Sequence, residues 1–290
     1  ALELYRRAIQ LAPDQPQYRE YLGEYLHKLD RKEEALEAWE SIAQGPRANR
    51  DNLIRLAEVL NTFEHAEKSL EVFAKAAELD PTFAHRLRYS ELLSRAKRYQ
   101  DALSQLDLAQ VVAETPEERE QLLKARITIY SSGGKLDEQI VEARQTAEAD
   151  ETAQNYRRLA LMLDAATRIP EATEAIESAM KADPADIGAM EVAAELYRKA
   201  SRLSDAIDIY RMLAKSDSRF LPNYLKRIAS LHMTLGQVDQ ALATANELIV
   251  AQPGNPEAYR FYAEQCFRVG RDDEGIEKLR RALRAAPRDR

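Results

Sequence analysis

The sequence predicts an all-α solenoid, a row of antiparallel helix pairs stacked along one chain. Three observations lead there. Segments of roughly 12 to 15 residues, rich in Ala, Leu, Glu, Lys and Arg, place apolar residues at i, i+3, i+4 and i+7, and no stretch shows the alternation of a strand. Prolines and glycines fall between these segments. Pro16, Pro116, Pro222 and Pro256 stand at helix starts, Pro13, Pro81, Pro184, Pro253 and Pro287 after helix ends, and Gly133, Gly134, Gly236, Gly254 and Gly270 in turns. Finally, one register position returns along the whole chain as Ala1, Ala35, Ser69, Ala102, Gln139, Ala172, Ala206, Ala241 and Gly275, at intervals of 34, 34, 33, 37, 33, 34, 35 and 34 residues.

In chain order, a half repeat at 1–15 is followed by eight full ones at about 16–48, 49–82, 83–115, 116–152, 153–186, 187–221, 222–255 and 256–290, making one continuous array of 290 residues and seventeen helices. The pattern is clearest at 153–184, where Leu159, Leu163 and Ile176 supply apolar fill, Ala160 and Ala172 the helix contact, and Pro184 the exit. Small residues recur on the first helix too, as Gly23, Ala57, Ser90, Ala160, Ala194, Ala229 and Ala263. Small side chains at both places let two helices approach closely while larger ones fill the spaces beside them. A single pair cannot hide its own apolar face, so each depends on its neighbours.

The fourth repeat departs most from this pattern. Arg126 and Ile127 stand where the others have Leu and a small residue, and Gln139, Ala143 and Thr146 follow on the second helix, after the extended linker AQVVAETPEE. A hinge or special docking place would explain it, as would ordinary degeneracy.

A 34-residue helix-turn-helix of this composition resembles the tetratricopeptide repeat (TPR) family over essentially the whole chain. The likeness rests on Leu22, Gly23, Leu26, Ala35, Trp39 and Ile42 in the first full repeat, and on Leu53, Leu56, Ala57, Leu60, Ser69, Phe73, Ala76 and Pro81 in the second. Met190, Ala193, Ala194, Tyr197, Ala206, Tyr210 and Leu213 carry it in the sixth, with Tyr259, Tyr262, Ala263, Cys266, Gly275, Leu279, Ala282 and Pro287 in the eighth. The resemblance implies a right-handed superhelix whose first helices line a concave groove that takes an extended peptide or a partner helix.

By that resemblance the groove residues are Glu20, Glu24 and His27; Ile54, Glu58 and Asn61; Glu91; Lys124 and Thr128; Arg157, Leu161 and Asp164; Glu191, Glu195 and Arg198; Lys226, Ser230 and Met233; and Arg260, Glu264 and Phe267. The early repeats present mostly acid and the later ones mix in Lys and Arg, which suits a ligand of mixed charge that is basic toward the N-terminal end. A solvated face is the plainer account of the charges, with Glu20 and Glu24 unpaired and Glu195 paired to Lys199. Apolar Ile54, Leu161, Met233 and Phe267 fit pockets for a partner's side chains better. Family members that clamp a chaperone's C-terminal carboxylate use a Lys and an Asn one turn apart. This chain has Glu20 and Glu24, Ile54 and Glu58, Arg157 and Leu161, and Lys226 and Ser230 there, so the resemblance does not extend to that adaptor type.

Composition and motifs narrow the function further. A net charge of −7 argues against nucleic acid, whose binding rests on Lys and Arg neutralising phosphates. Cys266 is the only cysteine, which rules out an intrachain disulfide, and His27, His65, His85 and His232 are too dispersed for a metal or hydrolytic cluster. His232 and Cys266 share the interior register place of Leu26 and Tyr197 and read as packing residues. SSGGK at 131–135 lacks P-loop spacing and reads as an interhelix turn. Glu33, Glu34, Asp272 and Asp273 begin second helices, where acid suits the dipole.

The expectation is therefore a non-catalytic scaffold for a protein or peptide ligand, with no cofactor, metal, nucleic acid or membrane span, in a soluble and by default cytoplasmic setting. The alternative is a substrate-recruiting or regulatory arm of a larger enzyme or secretion or assembly machine, whose active part lies elsewhere. No polar capping helix precedes Ala1 or follows Pro287, so the chain reads as a piece of a longer repeat protein whose uncapped ends offer a route to self-association. The terminal Lys278, Arg280, Arg281, Arg284, Arg288 and Arg290 suit either a helix C-terminus or an acidic partner.

Overall fold

The computed structural model describes residues 1–79 and 81–285. Pro287, Arg288 and Arg290 lie outside them. Among the described residues there are seventeen α-helices and no strand. The helices are α1 (Leu2–Leu11), α2 (Pro16–Lys28), α3 (Lys32–Glu40), α4 (Arg50–Thr62), α5 (Ala66–Leu79), α6 (Phe83–Arg95), α7 (Tyr99–Val112), α8 (Pro116–Ser132) and α9 (Leu136–Ala149), followed by α10 (Ala153–Ala165), α11 (Ile169–Ala182), α12 (Ile187–Lys199), α13 (Leu203–Ser216), α14 (Leu221–Thr234), α15 (Val238–Ala251), α16 (Pro256–Arg268) and α17 (Asp272–Ala285). They group into two compact units, Ala1–Leu136 and Asp137–Arg290, and the division falls inside the fourth repeat.

One turn joins the two helices of every repeat. The second residue after each first helix sits in the left-handed region: Asp30, Glu64, Lys97, Gly134, Thr167, Ser201, Gly236 and Gly270 all have positive φ. The next residue's amide then reaches back to a carbonyl in the last turn, from Arg31 to Leu26, His65 to Leu60, and so on to Arg271 and Cys266, at 2.8–3.0 Å. This is the Schellman closure, which satisfies carbonyls that a helix end leaves unpaired. SSGGK is one instance, with Gly134 at φ 69° and the Lys135 amide on the Tyr130 carbonyl.

The small-residue positions lie where the helices of a pair touch. Ala35, Ala102, Ala172, Ala206 and Ala241 have no exposed surface, nor have Ala57, Ala160, Ala194 and Ala229. In the second repeat the two positions bond directly, the Ser69 hydroxyl donating to the Ala57 carbonyl at 2.7 Å. In the first, Gly23 faces Trp39 so closely that a Cβ at residue 23 would come within 2.1 Å of the indole nitrogen. Cys266 is buried at the interior place shared with Leu26 and Tyr197. His232, half-buried at the same place, has Nδ1 2.7 Å from the Gln237 side-chain oxygen.

Two helices break the length pattern. α3 is nine residues long where α5, α7, α9 and α11 have fourteen, and two 3-10 turns, Ser41–Ala43 and Gly45–Arg47, replace its end. α8 is extended to seventeen residues and begins with a reciprocal cap, the Thr115 hydroxyl accepting from the Glu118 amide and the Glu118 carboxylate from the Thr115 amide.

Candidate functional site

In the unit Ala1–Leu136, the sequence-derived groove residues Glu20, Glu24, Ile54 and Glu58 come together in a cleft of 480 Å³ between α2 and α4. Asp51, Arg55, Val59, Thr62 and Phe63 complete it. The lining therefore holds four carboxylates and one guanidinium over an apolar floor of Ile54, Val59 and Phe63. Glu20 is not unpaired, as the helix spacing suggested, because Arg55 one repeat further on reaches its carboxylate at 2.5 Å. Asp51 pairs with Arg50 at 2.7 Å, so the excess of acid is left with Glu24 and Glu58.

The other predicted residues of this unit lie apart from the cleft. His27 is an aromatic packing residue, 4.8 Å from the Phe63 ring and 5.9 Å from that of Trp39. Asn61 is half-buried in the last turn of α4. Glu91 pairs with Arg88 at 2.9 Å. Lys124 is exposed beside Glu120, and the Thr128 hydroxyl is turned onto its own helix, donating to the Lys124 carbonyl.

In the unit Asp137–Arg290, the trio expected as an exposed reading face is half-buried. Arg157 lies across the start of α12, where a Cβ on Gly188 would meet its Nη1 at 1.7 Å, and the guanidinium approaches Asp186 at 3.9 Å. Asp164 bonds Lys199 at 2.7 Å. These contacts join α10 to α12, so Arg157 and Asp164 serve inter-repeat packing, and Leu161 lies half-buried between them in the same helix. The expected Glu195–Lys199 pair is replaced by this bond, which takes Lys199 to the neighbouring repeat, and by Glu195–Arg198 at 2.5 Å.

A second cleft opens between α12 and α14. One part, of 350 Å³, is lined by Glu191, Glu195, Tyr210, Phe220, Asn223, Tyr224 and Arg227; a contiguous part of 320 Å³ adds Arg198, Lys226, Ser230, Leu231 and Thr234. Five of the predicted residues, Glu191, Glu195, Arg198, Lys226 and Ser230, thus share one place. Sequence reasoning missed Tyr210, Phe220 and Arg227: Tyr210 comes from a second helix, Phe220 from the 3-10 turn Ser218–Phe220, and Arg227 from a register place outside the groove set. Burial, and then the facing Glu191 carboxylate, push the Tyr224 hydroxyl up to about 12. Burial raises Tyr210 as well.

Met233 is half-buried against the core formed by Leu225, Leu248 and Tyr262. Arg260 pairs with Glu257 at 3.0 Å and Glu264 is exposed. Phe267 is 43% exposed, yet one ring edge lies over Gly275, 2.9 Å from where a Cβ would stand. Among the described residues no helix is long and apolar enough to cross a membrane, and no group of three or more His, Cys, Asp or Glu could hold a metal ion.

The tetratricopeptide repeat profile matches residues 1–51 and 226–290. No curated protein sequence matches the chain. Among solved structures the chain is similar to a crystal structure of MamA, at 16% identity and a TM-score of 0.43, covering 54% of this chain and 91% of that one. It is also similar to a structure of Naa15/Naa10 bound to HypK-THB, at 15% identity and a TM-score of 0.46, covering 94% of this chain and 43% of that one.

Proposed function

We propose that this chain is a tetratricopeptide repeat protein and an interaction scaffold whose first-helix faces bind an extended peptide segment, with a basic stretch of the ligand lying in the α2–α4 cleft. Proteins of this repeat type are generally non-catalytic scaffolds with protein partners. The observation that carries the finer reading is the excess of carboxylate in that cleft, Glu24 and Glu58 beyond the pairs Glu20–Arg55 and Asp51–Arg50, above the apolar floor of Ile54, Val59 and Phe63. A Lys or Arg side chain there is attracted to the rim while a neighbouring apolar side chain is buried below, the usual division between polar edge and buried centre.

The test is fluorescence anisotropy with labelled peptides of Lys, Arg and Leu, against the same peptides with Gln for each base. Glu24→Lys and Glu58→Lys together should weaken the basic peptide by roughly tenfold or more, with binding that falls as salt rises. Equal affinity for the neutral peptide, or no effect of the charge reversals, would count against the cleft.

A further inference from the structure

The first-helix interfaces differ in how they are closed. Counting back from the left-handed turn residue of each repeat, Glu20 stands ten places before Asp30 and Arg55 nine before Glu64; the same places one unit later are Glu191, ten before Ser201, and Arg227, nine before Gly236. Glu20 and Arg55 form an ion pair at 2.5 Å, but Glu191 and Arg227 do not. Glu191 accepts instead from the Tyr224 hydroxyl at 3.2 Å, and Arg227 donates to the Tyr210 hydroxyl at 3.2 Å. The contacts that join α10 to α12 are also missing one repeat on. The Asp164–Lys199 bond has Arg198 and Thr234 as its counterparts, which cannot form an ion pair, and Arg157 over Gly188 becomes Glu191 opposite Asn223. These substituted residues are the ones that line the α12–α14 cleft.

Three cations, Arg198, Lys226 and Arg227, face two carboxylates, Glu191 and Glu195, so the lining keeps one net positive charge. Glu195 pairs with Arg198, and Glu191 accepts from Tyr224, a neutral donor that leaves its charge in place. Lys226 and Arg227 stand side by side in α14, and neither forms an ion pair with a described residue. Arg227 lies over the Tyr210 ring at 5.6 Å and Lys226 faces that of Phe261 at 5.9 Å, contacts that hold a cation in place without neutralising it. Beside them Phe220 is 47% exposed, set edge-on against Tyr224 with ring centres 6.4 Å apart.

We propose that the α12–α14 cleft is a second docking site, for an acidic segment of a protein partner in which a carboxylate side chain neighbours an aromatic or large aliphatic one. The carboxylate takes Arg227 and Lys226, supplying the partner that Glu20 gives Arg55 in the other unit. The apolar neighbour covers Phe220 and Tyr224. Charge complementarity selects this occupant: a basic segment meets two unpaired cations, whereas a carboxylate gains a charge-assisted bond to a guanidinium already held by Tyr210. The site adds a ligand class opposite to that of the α2–α4 cleft, and the two stand or fall separately.

The test uses the whole chain and fluorescein-labelled peptides composed of Asp, Glu, Phe and Leu, with a matched set in which Asn and Gln replace the acids. Wild type should bind the acidic set at least roughly tenfold more tightly than the amide set. Lys226→Glu and Arg227→Glu should each reduce that affinity by a similar factor, and Phe220→Ala by a smaller one, while Glu24→Lys with Glu58→Lys leaves it unchanged. Helical circular dichroism and the melting midpoint confirm that each variant is folded, and Lys226→Glu serves if Arg227→Glu loses the Tyr210 contact and unfolds. Equal binding of acidic and amide peptides overturns the proposal, as does insensitivity to Lys226→Glu or loss through the Glu24 and Glu58 reversals.

Discussion

Replacing Gly23 by Ala pits two effects of known sign against each other. Helix propensity alone makes Ala better than Gly within a helix by about 1 kcal/mol, because glycine loses more backbone entropy on folding. The structure opposes this. A Cβ at residue 23 would lie 2.1 Å from Nε1, 2.4 Å from Cδ1 and 2.6 Å from Cε2 of Trp39, so the whole pyrrole edge must move. Trp39 has no exposed surface and its other side stacks on Phe63 with ring centres 4.4 Å apart, which leaves it little room to retreat.

Moving the ring also strains the bond from its Nε1 to the Glu20 carbonyl, 3.3 Å long. Overpacking of this kind costs about 1 to 3 kcal/mol, and a buried N–H left without an acceptor costs a similar amount again. The expected result is a net loss of about 1 to 5 kcal/mol after the propensity gain, the upper end applying if the indole bond is lost altogether. Trp39 is the only tryptophan, so its emission during urea unfolding reports this repeat directly. Trp39→Phe should relieve Gly23→Ala, giving a coupling energy in the double-mutant cycle, followed by circular dichroism where the tryptophan is lost. If Gly23→Ala raises the urea midpoint, or the cycle shows no coupling, the close-approach argument is wrong.

Gly188→Ala is the contrasting case: the 1.7 Å clash is with the tip of the flexible Arg157 side chain, so stability should change by less than about 1 kcal/mol in urea melts. Thr167→Gly should stabilise by about 1 kcal/mol in the same assay, since a β-branched residue is held at φ 58° where glycine is unstrained. Tyr197 and Tyr224 are each pushed up to about 12, by burial first and then by the facing Glu177 and Glu191 carboxylates. The folded chain keeps both protons where the unfolded chain gives them up, so their stabilisation is present below pH 10 and is lost as pH rises from about 10 to 12. Tyrosinate absorbance should show late titrations, with Tyr262, Tyr210 and Tyr89 also pushed up, and Tyr197→Phe should remove one titration and flatten the alkaline fall in melting midpoint.

Much of the fold was legible because its determinants are local and repeated. The left-handed turn falls at a fixed distance from the small residues of both helices, so the spacing that runs from Ala35 to Gly275 carries the turn even through the irregular fourth repeat, although α9 there buries Ile140, Ala143 and Ala147 and leaves Thr146, expected inside, exposed. That repeat's Gly134 still occupies the turn. The shortening of α3 was not foreseen, although Gly45 and Pro46 signal it: Gly45 adopts φ 58° and proline cannot continue a helix. A periodic pattern elsewhere in the chain masked a local stop.

What the sequence determined by itself is the periodic part of this protein: helical pairs, their register, their close contacts at small residues, and the acidic character of the early first helices. Each depends on neighbours within one or two turns or within one repeat unit. Tertiary structure decided which of the first-helix residues remain available. Arg157, Asp164 and Glu20 have the same register credentials as Glu24 and Arg198, yet ion pairs and packing across repeats take them up, because side-chain partners about 35 residues away are chosen by three-dimensional geometry. The same geometry leaves Arg227 without the carboxylate that its counterpart Arg55 finds, and brings Tyr210 and Phe220 beside it, so the α12–α14 cleft became visible only once the helices were packed.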